Sequence, residues 1–297
     1  RIGLTARAYH HEADEPGFMT AEEISTDRRG SQRRNANDRD ERDMRQLGIH
    51  LDLALTNSLF FGTKLYYNSY EDDRYVTFSD LPTGNAPRQR RVWDEEQTGM
   101  LSTLTWMASD ALTLEGGLNY EHQDNAYARY RFNYFEPTDF SATPARIQND
   151  DRHSFDNWGA YVQAIYQPTE ALKIVPAFRV DRFDGDTRLM DGTTAELQRY
   201  GTIKQPKLSV VYALGDTANV YANWGRTFQV LTGSTPPAYL TPGQAAMAPS
   251  TNTGMELGMK FSPFAGSQAR VAVWQQDAEN EVSNMPATGT TVTLGKT

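Results

Sequence analysis

Between Tyr127 and Phe135 cationic and aromatic side chains alternate: Tyr127, Arg129, Tyr130, Arg131, Phe132, Tyr134 and Phe135. A guanidinium grips an oxyanion through parallel hydrogen bonds, and aromatic rings and guanidinium planes stack on flat π-systems. Tyr127, Arg129, Tyr130, Arg131 and Tyr134 are therefore candidates for binding a flat or chelating anion. The same run fits a second reading, in which Tyr130, Phe132 and Tyr134 form an aromatic girdle and the arginines meet acidic loops or lipopolysaccharide.

Other charged groups carry less chemistry. Arg28, Arg29, Arg33, Arg34, Arg39, Arg42 and Arg45 alternate with Asp27, Asp38, Asp40, Glu41 and Asp43, so their fields cancel and no nucleic-acid partner is expected. They read as a solvated loop or an ion-pair network at a lumen edge. His10, His11 and Glu12 could ligate a metal, but the other three His are distant and no ligand spacing repeats. Asp181, Asp184, Asp186 and Asp191 around Gly185 miss the alternate spacing of a calcium loop. No G-x-S-x-G sequence and no Ser-His-Asp grouping occurs. Neither an enzyme, a cofactor nor a resident metal is expected. Arg179 with Asp181, and Glu256 with Lys260, have the even spacing that puts partners on one strand face. Both are expected to be ion pairs on a lumen wall.

The elements that must position these groups show period-two patterning. Leu47, Ile49, Leu51, Leu53 and Leu55 alternate with Gly48, His50, Asp52 and Ala54. A charge near a bilayer midplane costs about 2–4 kcal/mol, so the Leu and Ile face must be the lipid face. Phe61, Thr63, Leu65 and Tyr67 repeat the pattern after the short Thr56-Asn57-Ser58 turn. Further hairpins are expected from Met100 to Tyr120, Asn157 to Phe183, Lys207 to Phe228 and Met255 to Asp277. Lone strands at Ile2–Tyr9 and Thr290–Thr297 bring the total to about twelve. Trp158 and Tyr166 are eight residues apart on one face, about 26 Å at ~3.3 Å per residue, which suits two interfacial girdles.

Between the hairpins lie long polar connections, at His10–Arg45, Glu71–Arg91, Gln123–Phe155, Asp184–Ile203, Gln229–Thr253 and Glu279–Gly289. Short turns at one end and long loops at the other describe an antiparallel transmembrane β-barrel with short periplasmic turns and long extracellular loops. A mean hydropathy of -0.65 and a net charge of -9 exclude spanning helices but not a barrel, whose alternate residues face water. The absence of Cys removes disulfides and thiolate metal sites.

Several segments resemble the TonB-dependent outer-membrane receptors in the part that forms their large barrel. Gln205-Pro206-Lys207-Leu208-Ser209-Val210-Val211-Tyr212 followed by Asn219-Val220-Tyr221-Ala222-Asn223-Trp224-Gly225-Arg226-Thr227-Phe228 is similar to that family's "PK, alternation, Y, turn, YAxxGxxF" hairpin. Met255-Glu256-Leu257-Gly258-Met259-Lys260 resembles its E-x-G-x-K strand, and Ala160-Tyr161-Val162-Gln163 and Phe178-Arg179-Val180-Asp181 resemble two further strands. Leu294-Gly295-Lys296 resembles the segment that opens a following strand. The resemblance implies an all-β fold with about twelve of twenty-two barrel strands, in the outer membrane of a Gram-negative bacterium. Residues 1–297 then read as a partial barrel, with the plug domain and C-terminal strands absent. It implies active import of a scarce nutrient, a ferric siderophore or other metal chelate, with TonB acting through the plug. Outer-membrane lipid and lipopolysaccharide are the implied surroundings. The rivals are a passive porin, an outer-membrane barrel enzyme using His50, His122 or His153, and a soluble β protein.

Overall fold

The computed structural model describes residues 1–15, 17, 19–30, 35, 37–77, 88–133, 143–196, 201–229, 249–285 and 290–293. Eleven strands follow one another in an antiparallel meander: β1 (Ile2–Asp14), β2 (Arg39–Ala54), β3 (Leu59–Thr77), β4 (Arg88–Ser109), β5 (Leu112–Phe132), β6 (Arg146–Tyr166), β7 (Leu172–Arg188), β9 (Thr202–Ala213), β10 (Ala218–Gln229), β11 (Ser250–Phe261) and β12 (Ala269–Glu279). A short β8 (Thr194–Glu196) adds to the upper end of β7. Strands β1 and β12 are the two edges of this sheet among the described residues. One short helix, α1 (Ala21–Thr26), lies between β1 and β2 and is closed by a capping box of Thr20 and Glu23. Among the described residues no helix is long and apolar enough to cross a membrane.

The turns between β2 and β3, β4 and β5, β6 and β7, and β9 and β10 are tight, as expected. The other ends differ from the sequence reading. Strand β4 has 22 residues, β5 and β6 have 21 each, and β3 has 19, whereas a bilayer needs only about 9–11. Much of what reads as long polar loop in His10–Arg45, Glu71–Arg91, Gln123–Phe155 and Asp184–Ile203 is therefore strand. The ladder continues without a break through Asp40↔Arg74, Arg74↔Arg91 and Arg91↔Arg129. Beyond the apolar band both faces carry charged residues, so strict apolar alternation ends while hydrogen-bonded pairing does not. A second difference lies at the end of the chain. Thr290–Thr293 is β14, which pairs with β13 (Val282–Met285) in a separate ribbon rather than joining the main sheet. Leu294, Gly295 and Lys296 lie outside the described residues.

One face of the sheet carries exposed apolar side chains in register, including Leu47, Ile49, Leu65, Met100, Leu118 and Trp158, and farther along Leu208, Trp224, Leu257 and Val273. Its upper margin is aromatic, with Tyr120 packed at a tilt against Trp158, 4.2 Å between centroids. The opposite face is polar, and three tyrosines lie flat across glycines of adjacent strands. A Cβ at Gly99, Gly117 or Gly258 would come within 2.4 Å of a ring atom of Tyr66, Tyr161 or Tyr221 respectively. Tyr66 and Tyr161 then donate to Glu121 and Glu115. The apolar core is small. Phe155, Phe183 and Ile203 are buried, with Phe228 edge-on to Phe183, since most of the apolar surface faces outward.

Candidate functional site

Strict alternation along β4 and β5 divides the Tyr–Arg run between two faces. Tyr127, Arg129 and Arg131 share the polar face with Trp93, Arg91 and Gln89, their register partners on β4. Tyr130 stands opposite Arg90 on the other face, where Arg90 packs over the Tyr75 ring and pairs with Asp73 at 2.7 Å. Phe132 is buried, and Tyr134 and Phe135 lie outside the described residues.

On the polar face Trp93 and Tyr127 pack with centroids 5.2 Å apart. Arg129 lies over the Tyr127 ring and donates from Nε to its hydroxyl at 2.7 Å. Arg131 Nε donates to Gln148 Oε1 at 2.6 Å, and Arg91 Nε to Gln89 Oε1 at 3.0 Å. Among the described residues Arg129 and Arg131 have no carboxylate within ion-pair distance. Burial, reinforced by the neighbouring Arg129 cation, depresses the pKa of both Arg91 and Arg131, and Arg146 adds to the repulsion on Arg131. Cations held together against their own repulsion, beside two aromatic faces, have the chemistry to pair with and stack on a flat anion. Arg91 closes a stretch that reads as loop and Trp93 lies just beyond it, so composition alone singles out neither.

Deeper on the same face, Arg179 Nη2 meets Asp181 Oδ1 at 2.6 Å and Asn119 Oδ1 at 2.8 Å. Gln205 Nε2 donates to the other oxygen of Asp181 at 2.7 Å, which suits a carboxylate only 2% exposed. Glu256 does not take Lys260 as its closest cation. Its carboxylate receives Arg270 from β12 at 2.5 Å, the residue that stands opposite Lys260 in the register. Lys260 instead lies 5.7 Å from the centre of the Tyr221 ring.

The remaining candidates are scattered by the same alternation. His10 bonds Asp43 at 3.2 Å, with Glu41 close by on an exposed face, whereas His11 stacks on Tyr9. His122 sits between Asp124 and Asp156, each at 3.1 Å. His153 is buried against Thr187 at 2.8 Å, and His50 lies at the lower end of β2. Asp191 bonds Thr193 in a turn, while Asp184 pairs with Arg182 on the face opposite Asp181. Arg33 and Arg34 lie outside the described residues.

No curated protein matches the chain by sequence comparison. Solved structures do match its fold. The unliganded ferric citrate transporter FecA superposes with a TM-score of 0.79 at 18% identity, over 96% of this chain and 42% of that one. The siderophore receptor PiuA from Acinetobacter baumannii gives 0.70 at 14% identity, covering 88% and 44%. The copper transporter OprC gives 0.68 at 14% identity, covering 86% and 42%. The chain thus spans less than half the length of these structures. A family model described as "TonB dependent receptor-like, beta-barrel" matches residues 2–297. That family consists of transport barrels, not enzymes, and this chain belongs to it.

Proposed function

We propose that the chain forms part of the wall of an outer-membrane importer that captures an anionic metal chelate, a ferric siderophore or a related complex, in a Gram-negative bacterium. The observation that carries this reading is the cationic and aromatic patch of Arg91, Arg129, Arg131, Trp93 and Tyr127, raised above the apolar band on the face opposite it. A chelate entering from outside meets this patch before the narrower acid-tyrosine network below. The arginines supply charge-assisted hydrogen bonds, and the rings supply stacking surface. Relatives of similar fold are described as transporters of ferric citrate and copper and as a siderophore receptor, which supports the substrate class. Energy comes from TonB through a plug domain carried elsewhere in the protein, and the Tyr120–Trp158 margin meets lipid headgroups and lipopolysaccharide.

The test uses the full-length protein in detergent, with chelate binding read by intrinsic fluorescence quenching. Arg129→Gln and Arg131→Gln are expected to weaken an anionic ferric chelate and to leave a neutral one unchanged. Equal loss for both chelates refutes the electrostatic reading. Uptake that persists without TonB points to the passive porin instead.

A further inference from the structure

Beside the arginine patch, at the upper end of β2 and β3, two aspartates are buried together. Asp40 is 3% exposed and Asp72 6%. The charge of Asp72 acts on Asp40, and the two share a single cation. Arg42 contacts Oδ2 of Asp40 through Nη2, and Oδ2 of Asp72 through Nε at 3.1 Å. Tyr70 donates its hydroxyl to the same Asp72 oxygen at 2.7 Å. All of these bonds fall on the Oδ2 atoms. Oδ1 of Asp40 and Oδ1 of Asp72 are both buried and both without a hydrogen-bond partner.

Two buried carboxylate oxygens without a partner are costly, since each forfeits its hydration without replacement. Further charge deepens the imbalance. Glu15 adds to the negative field on Asp40, and half-buried Glu95 feels that of Asp72. Arg74 is engaged with Glu15 at 3.1 Å. Burial first, then the Asp72 charge, raises the pKa of Asp40. Burial and the bond to Asp72 push the Tyr70 phenol up to about 12.

We propose that the orphan Oδ1 atoms of Asp40 and Asp72 are ligands for a hard divalent cation of the calcium class. The donors are all oxygen, with neither imidazole nor thiolate, which selects calcium or magnesium over the softer metals. Calcium accepts irregular geometry, which suits a site offering only two protein carboxylates. The position gives the ion a structural consequence. Two residues before Asp40, the buried Asp38 carboxylate accepts Thr77 N–H at 2.8 Å, Thr77 Oγ1 at 2.9 Å and Asn35 Nδ2 at 2.7 Å. A cation at Asp40 and Asp72 thus clamps the entry to β2 against β3 where the chain returns from α1, one register step from Arg91 and Trp93.

Terbium is the probe, because Tyr70 sits on the Asp72 carboxylate and can sensitise its emission. The chelator-treated full-length protein, excited at its tyrosines, is titrated with Tb³⁺ and then with Ca²⁺. Saturable emission that Ca²⁺ displaces is expected. Loss of an outer-shell partner alone typically costs 10–100-fold in metal affinity, so Asp40→Asn and Asp72→Asn should each weaken it at least about tenfold. Calcium should also raise the thermal midpoint of the wild type and of Tyr70→Phe, but not of the two Asn variants. Without calcium, Asp40→Asn should melt no lower than wild type, since it removes one of two repelling carboxylates. Unchanged terbium affinity in both Asn variants overturns the proposal, as does the absence of saturable emission. The latter result would assign the pair a shared proton.

Discussion

Gly159→Ala tests how the deep polar face is built. A Cβ at this position would lie 2.2 Å from Asn119 Oδ1, 2.6 Å from Arg179 Nη2 and 2.7 Å from Asp181 Oδ1. Real Cβ atoms do not approach so closely, and the three atoms are those that hold the Arg179 network together. Asn119 can rotate away cheaply, but Arg179 and Asp181 cannot separate without leaving a buried carboxylate with only Gln205. Breaking a buried pair costs about 3–5 kcal/mol. Arg179 is 31% exposed, so water can re-solvate the guanidinium, and the lower bound of about 3 kcal/mol applies. The assay is equilibrium unfolding of the full-length protein in detergent by urea, with tryptophan emission as the signal. The same substitution made in an Asp181→Asn background should cost about 1–2 kcal/mol less, because the pair it disrupts is already neutral on one side. A Gly159→Ala protein within about 0.5 kcal/mol of wild type, the range of ordinary surface changes, would refute the network as a source of stability. Equal costs in the two backgrounds would show that the methyl acts by crowding alone.

Three further outcomes follow from other parts of the fold. Burial holds the His153 imidazole below its ordinary value, so the unfolded chain takes up the proton more readily than the folded one. This group's contribution to stability is complete above about pH 6.5 and is lost as pH falls through that unfolded value toward the lower folded one. His153→Gln should flatten that acid limb in unfolding curves, and an unchanged slope would refute it. Asp38→Ala leaves Thr77 N–H without its buried acceptor, which should cost about 1–3 kcal/mol. Its signature is faster proteolytic cleavage between Glu15 and Asp38, and protection equal to wild type would count against the tether. For the arginine patch, each of Arg129→Gln and Arg131→Gln should lower affinity for an anionic chelate by about 1.5–3 kcal/mol, the range of a hydrogen bond to a charged group. Fluorescence titration at low and high salt reads the effect, and a loss that does not shrink with salt would argue against charge pairing.

The lipid-facing half of the fold was open to reading because the bilayer imposes a simple rule. Leu47, Ile49 and Leu65 must face outward, and His50 and Lys64 must not, so period two survives in the sequence wherever the wall meets lipid. Above that band the rule lapses. Asp40, Arg74, Arg91 and Arg129 form one continuous register row across four strands, yet the first three each follow directly on another charged residue in sequence and Arg129 lies two residues from Arg131. Charge runs of this kind read as loop, since only the ladder partner on the next strand shows that they are strand.

The same limit explains why the Tyr–Arg run stands out as a cluster while its division between two faces remains one of two readings. Tyr127, Arg129, Tyr130 and Arg131 attract attention by composition, while the face each one takes depends on parity, and parity is inherited from the apolar alternation far below. Counting in twos upward from Leu118 places Tyr130 on the outer face, and from Asn119 places Tyr127, Arg129 and Arg131 on the other. Toward β4 this count holds without interruption, from Leu118↔Ser102 to Phe132↔Arg88. Toward β6 the register shifts between Arg129 and Tyr130, and Gln148 falls at the irregularity. Gln148 is also the residue that accepts from Arg131. A bulge that turns one extra side chain toward the arginines is a local device for placing an acceptor, and it leaves no mark in the sequence of either strand. Strand parity therefore selects which residues reach the interior, and a single register shift selects what they meet there.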